Sequence, residues 1–152
     1  MPLNDSKTGE IRVLFVCIHN SARSQMAEAF LNAAPGFTAR SAGLEAGRLN
    51  PIVVAAMAEI GFDISNNAVK TIDDVLGQKA QFDFVITVCD EASAQRCPVV
   101  PGAGQRLHWS FEDPSAFNGP TEERLRATRT IRDAIRARVG QFCREQQPAV
   151  AQ

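Results

Sequence analysis

Apolar residues fall into two period-free runs and several helically spaced stretches. Ile11-Arg12-Val13-Leu14-Phe15-Val16 is apolar and β-branched almost throughout, the pattern of a strand buried on both faces. The next stretch, Ser24 to Leu31, is rich in helix formers and sets Met26, Ala27, Phe30 and Leu31 on one face. A short second strand is expected near Phe37-Thr38-Ala39-Arg40-Ser41, ended by Gly43. Asn50-Pro51 is a cap followed by a first-turn proline, opening a helix through Val54, Met57 and Ile60 that stops at Gly61. A short helix is expected from Thr71 to Leu76. Phe84-Val85-Ile86-Thr87-Val88 reads as a third buried strand ending at Cys89, and Arg106-Leu107-His108-Trp109 as a fourth. Thr121 is expected to cap a long amphipathic helix with Leu125, Thr128, Ile131, Ile135, Val139 and Phe142 on its apolar face.

Strands alternating with helices predict an α/β fold, a parallel sheet with helices on both faces. The pattern contains no repeat and no boundary, so one domain is expected over 11–145, with flexible termini at 1–10 and 146–152. In such sheets ligands bind beyond the carboxyl ends of the strands. Cys17 follows the first strand, Cys89 the third, and Asp113 lies just past the fourth, so all three should gather at one sheet edge.

Composition narrows the class. The 152 residues suit one domain with a proper core. Sixteen basic and 17 acidic residues are intermixed, giving a net charge of −1 and no basic patch for nucleic acid or a membrane surface. No apolar run is long enough to cross a bilayer, and the N-terminus is polar rather than signal-like. A cytoplasmic protein with reduced thiols is expected. Four cysteines without a CxxC pair, and only two histidines, suggest chemistry rather than a zinc site. No metal is expected.

The chemistry concentrates in Cys17-Ile18-His19-Asn20-Ser21-Ala22-Arg23-Ser24, a cysteine followed five residues later by Arg-Ser, between strand and helix. Such a loop aims backbone N–H groups and the positive end of a helix dipole at one small volume. A tetrahedral oxyanion fits there, bound by the amides of Ile18, His19, Asn20, Ser21 and Ala22 and clasped by Arg23. The same field favours the Cys17 thiolate. A lone cysteine would be read as a buried strand-end thiol, but that reading leaves Arg23, Ser24 and the strand-loop-helix context unexplained.

The chain resembles the low-molecular-weight protein tyrosine phosphatase superfamily, and within it the thiol-dependent arsenate reductases that share the fold. The resemblance rests on Cys17–Ser24, Gln25-Met26-Ala27-Glu28, Ser41-Ala42-Gly43, Asn50-Pro51, Asp63-Ile64-Ser65 and His108-Trp109-Ser110-Phe111-Glu112-Asp113-Pro114, in family order over roughly residues 11 to 140. It implies a three-layer domain on a four-stranded parallel sheet in order 2-1-3-4. It also implies a reaction. Cys17 attacks arsenate, Ser24 stabilises its thiolate, and Asp113 protonates the departing oxygen. Cys89 then attacks Cys17, Cys97 attacks Cys89, and thioredoxin reduces the resulting disulfide. Without the Cys17 loop, Cys89 would pass for a buried strand residue and Cys97 for an incidental one. The Cys89–Cys97 interval is one residue longer than in the best-known thioredoxin-coupled relatives, and Cys143 is read as structural or incidental.

Two departures from the phosphatases favour a reductase. Their tyrosines after Asp-Pro are replaced here by Ser115-Ala116-Phe117 in a chain without tyrosine, and Gln25-Met26 stands where they carry Pro-Ile. The alternatives are a phosphomonoesterase using Cys17, Arg23 and Asp113, or a reductase coupled to glutaredoxin or a small thiol. Some relatives bind potassium through residues matching Asn20, Glu28, Ser41 and an acidic residue that aligns with Lys70. A lysine there implies potassium independence, its ammonium either taking the ion's place beside Glu28 or standing solvated on its loop. His19 could touch the anion or merely pack the loop. A monomer with no bound cofactor is expected.

Overall fold

The computed structural model describes residues 10–76, 81–90, 95 and 103–146. Its strands are β1 (Ile11–Cys17), β2 (Phe37–Gly43), β3 (Phe84–Thr87) and β4 (Gln105–His108). They form one parallel sheet in the order β2-β1-β3-β4. The helices are α1 (Arg23–Asn32), α2 (Pro51–Ala58), α3 (Ile72–Leu76) and α4 (Thr121–Gln146).

β1 organises the molecule because both its faces are covered. Alternate residues of a strand point to opposite sides. Val13, Phe15 and Cys17 join a core with Met26 and Leu31 of α1, Val53 and Met57 of α2, and Ile135 and Phe142 of α4. Leu14 and Val16 face the other way, onto Ile72 and Val75 of α3 together with Phe82 and Val85. Helices therefore lie on both sides, the expected three layers. The β1–β3 register pairs Val16 with Thr87, and Val88 N–H still donates to the Val16 carbonyl at 2.9 Å. Cys17 and Cys89 thus leave the sheet at the carboxyl ends of adjacent strands.

Most boundaries fall within a residue or two of expectation, and the exceptions have causes. Asn50 caps α2 through Oδ1, which accepts from Ile52 N–H (2.9 Å) and Val53 N–H (3.4 Å). α2 ends at Ala58, not at Ile60. Gly61 at φ +88° lets Phe62 N–H reach the Met57 carbonyl and Gly61 N–H the Ala58 carbonyl, which closes the helix. Trp109 lies beyond β4 but stays buried, its ring 5.8 Å from Phe15 and 5.6 Å from Phe142.

Thr121 is not the cap of α4. It is the first helical residue, and the Pro120 carbonyl accepts from both Glu123 and Arg124 N–H (3.0 and 3.1 Å). Proline's fixed φ suits a helix start, so the helix begins one residue earlier than the threonine suggested. Leu125 is only half-buried, whereas Arg132 is 7% exposed on the inner face. Its guanidinium donates to the Ala56 carbonyl and to Glu59 Oε1, both at 2.9 Å. Hydrogen bonds from Arg129 and Arg132 hold the Glu59 carboxyl down at about 2, tying α2 to α4. The expected flexible termini lie outside the described residues, except for Glu10 and for Gln146, which ends α4.

Phe142 is fully buried and meets Phe37, Phe84 and Trp109 within 5.1–5.9 Å. Phe142→Ala is expected to destabilise the fold by about 3–5 kcal/mol, read from the denaturant midpoint of unfolding.

Candidate active site

The loop from Cys17 to Ser24 owes its shape to where its carbonyls go. Leu44 N–H donates to the Cys17 carbonyl, Glu45 N–H to Ile18, Asn50 N–H to Ser21 and Met26 N–H to Ala22, all at 2.9–3.0 Å. The Asn20 carbonyl accepts from Gln25 Nε2 at 3.2 Å. Engaging these oxygens removes acceptors that would repel an anion, a requirement of an anion nest. Asn20 adopts φ +55°, a left-handed conformation that asparagine tolerates better than most residues. Gly43 is required by proximity: a Cβ there would sit 2.7 Å from Asn20 N and 2.9 Å from the Ile18 carbonyl oxygen.

α1 opens from this loop without a side-chain cap and without an acidic residue in its first turn. Its dipole is therefore left available to a bound anion. Arg23, 3% exposed, donates from Nη1 to the Phe111 carbonyl at 3.0 Å and lies 3.6 Å from Asp113 through Nη2. Its Nε is buried with no partner among the described residues. An unpartnered guanidinium donor beside an uncapped helix is what an oxyanion would complete.

Cys17 is buried, and its sulfur lies 2.9 Å from Ser24 Oγ, which accepts from Asn20 Nδ2 at 2.8 Å. Ser24 then has its own hydrogen free for the sulfur. Cys89 is equally buried, 1% exposed. Burial pushes its thiol up to about 11, with Arg23 pulling the value down and Cys17 adding to the rise. The two sulfurs and Arg23 therefore share one electrostatic neighbourhood. Asp113 caps the 3₁₀ turn Pro114–Ala116 through Oδ1, which accepts from Ser115 N–H at 2.9 Å, leaving Oδ2 toward Arg23. Asn50 Nδ2 donates to Ser115 Oγ at 2.9 Å, linking the α2 cap to this turn.

Cys17, Arg23, Ser24, Cys89 and Asp113 are thus brought together. Cys97 lies outside the described residues. The His19 ring is half exposed and its Nε2 faces Glu45 Oε1 at 3.3 Å, directed to the rim. The expected pairing of Lys70 with Glu28 does not form. Lys70 Nζ donates to the Ala68 carbonyl at 3.2 Å, while Glu28 accepts from Ser41 Oγ. The lysine backbone explains why: its N–H is held by Asn20 Oδ1 at 2.8 Å, and the side chain turns back along its own loop. Among the described residues no three histidine, cysteine or acidic side chains cluster as metal ligands. Sequence reasoning missed Gln25 as a site element, although a polar residue in an otherwise buried helix stretch was the available signal. It also missed the Phe111 carbonyl on Arg23.

Residues 12–150 match the family described as Low molecular weight phosphotyrosine protein phosphatase. The chain belongs to this family. Within it, the chain is 44% identical over 132 residues to the arsenate reductase of Halalkalibacterium halodurans, covering 86% of this chain and 93% of that relative. It is similar to a solved arsenate reductase in the phosphate binding state, with a TM-score of 0.70 at 30% identity over 90% of this chain and 99% of the other. It is also similar to the thioredoxin-dependent arsenate reductase of Corynebacterium glutamicum, with a TM-score of 0.63 at 29% identity over 91% of this chain and 62% of that one.

Cys89 gives the site a pH signature. An ordinary thiol ionises near 9.0, and burial raises Cys89 to about 11. A raised thiol contributes stability that is whole below the lower value and lost as pH climbs through the higher one. The parent is therefore expected to lose denaturant resistance between about pH 9 and 11 by an increment absent from Cys89→Ala, measured by unfolding at matched pH values.

Proposed function

We propose that this chain reduces arsenate to arsenite, using Cys17 as nucleophile and a Cys17–Cys89–Cys97 disulfide relay recycled by thioredoxin. Cys89 carries the reading: a phosphatase needs no second buried thiol in the field of Arg23 and Cys17, whereas a reductase does. The Ser115-Ala116-Phe117 segment after Asp113-Pro114 offers no tyrosine to stack on an aryl phosphate, in keeping with a small inorganic substrate. The naming of relatives as arsenate reductases supports the same reading.

Arsenate is bound by the loop amides and by Arg23. The Cys17 thiolate attacks arsenic; an S–As bond forms, an As–O bond breaks, and Asp113 supplies the proton with which that oxygen leaves as water. The Cys89 sulfur, as thiolate, then attacks Cys17 Sγ. The S–S bond forms, the S–As bond breaks, and its electron pair stays with arsenic, which leaves as arsenite. Two thiolates have supplied two electrons. Cys97 attacks Cys89, freeing the Cys17 thiolate, and thioredoxin reduces the Cys89–Cys97 disulfide. All these groups belong to one chain, so the reaction fits a monomer, and free thiols suit the cytoplasm. Among the described residues no helix is long and apolar enough to cross a membrane.

The test is arsenate-dependent NADPH oxidation with thioredoxin and its reductase, and separately with glutathione and glutaredoxin. Cys89→Ser and Cys97→Ser are each expected to abolish thioredoxin-coupled turnover. Parent-like rates in both variants refute the relay. Activity of Cys97→Ser with glutaredoxin alone would reassign the coupling.

A further inference from the structure

The sulfur of Cys17 stands at the end of a line of side-chain hydrogen bonds that begins outside the loop. Asn67, exposed, donates from Nδ2 to Gln25 Oε1 at 3.0 Å. Gln25 is fully buried in the first turn of α1. Its Nε2 donates to the Ala68 carbonyl (3.1 Å), to the Asn20 carbonyl (3.2 Å) and to Asn20 Oδ1 (3.0 Å). Asn20 Oδ1 also accepts from Lys70 N–H at 2.8 Å, and Asn20 Nδ2 donates to Ser24 Oγ at 2.8 Å. Ser24 Oγ then lies 2.9 Å from Cys17 Sγ.

The direction of these bonds matters more than their number. An amide has one acceptor end and one donor end. Two donors, Gln25 Nε2 and Lys70 N–H, converge on the Asn20 oxygen, so the Asn20 nitrogen must face Ser24. Ser24 thereby receives a hydrogen from Asn20 and has its own free for the sulfur 2.9 Å away. Were the Asn20 amide reversed, its NH2 would meet two donors and its oxygen would draw the Ser24 hydrogen away from Cys17. Gln25 is held in its own orientation by Asn67 on one end and the Ala68 carbonyl on the other.

We propose that Gln25 is a positioning residue that, anchored by Asn67, fixes the polarity of the Asn20–Ser24 hydrogen bonds so that a hydroxyl hydrogen is always presented to Cys17. Gln25 touches neither the sulfur nor the anion nest's interior; it acts through Asn20. The inference rests on the reading of Cys17 as nucleophile.

The test is the rate at which iodoacetamide alkylates Cys17 at pH 7, read on the Cys17 peptide with and without inorganic phosphate, alongside kcat and KM for arsenate. The proteins are the parent, Gln25→Met, Ser24→Ala, the double variant and Asn67→Ala. Gln25→Met keeps length and apolar volume while deleting the amide. It is expected to slow alkylation and kcat together by roughly tenfold, the scale of one hydrogen bond to a charged group, with KM within about twofold. In the Ser24→Ala background the same change should cost under about twofold, because the serine through which it acts is gone. Asn67→Ala, at the exposed end, should slow alkylation by about two- to threefold and cannot easily unfold the protein. Parent-like alkylation in Gln25→Met, or its full effect persisting without Ser24, overturns the inference, as does parent-like alkylation in Asn67→Ala. If Cys17 of the parent reacts no faster than Cys143 and phosphate gives no protection, it is the nucleophile reading that fails, and the inference falls with it.

Discussion

Everything at the site depends on keeping the carbonyls of Cys17, Ile18, Asn20, Ser21 and Ala22 engaged by donors from outside the loop's mouth. A loop this short carries as many acceptors as donors, and an anion is repelled by the acceptors. The segment 44–50 removes three of them by donating its own backbone N–H groups, and α1 removes another through Met26. That docking requires the chain after β2 to pass against the loop, which Gly43 permits by having no side chain to insert between them. The parallel register of β1 with β2, ending at Cys17 opposite Gly43, brings the two segments together. The anion site is thus a consequence of sheet register, built from backbone that no single motif residue supplies.

Onto this backbone the chain adds two thiols in contrasting surroundings. Cys17 has a hydroxyl at hydrogen-bond distance and an uncapped helix start beside it. Cys89 has burial, which keeps its proton in place well above neutral pH. Both come from the carboxyl ends of neighbouring strands, so they differ in polar contacts rather than in location.

Periodicity and turn chemistry made the sheet, α1, α2 and the Cys17–Ser24 loop legible, because each is specified by residues close together in sequence. The α2 cap at Asn50 and the αL stop at Gly61 are of this kind. What was illegible depends on distant approach. The Phe111 carbonyl reaches Arg23 across 88 positions, Asn67 reaches Gln25 across 42, and Arg132 finds Ala56 across 76. Lys70 misled for a similar reason: substitution of an acidic position suggested a salt bridge to Glu28, but the lysine's backbone was already committed to Asn20. Thr121 misled locally, since a threonine before two glutamates reads as a cap, yet Pro120 supplies the cap carbonyl instead.

The burial of Cys89 bears on the order of events. A second thiol as ionised as the first would compete for the oxyanion's field and could be oxidised without arsenic bound. Held neutral at up to about 11, it stays out of the first step. In the proposed reaction, bonding of the Cys17 sulfur to arsenic removes a charge that adds to the Cys89 rise, while Arg23 continues to favour Cys89 ionisation. The proposed step that consumes the first sulfur therefore favours ionisation of the second, against the burial that dominates its rise.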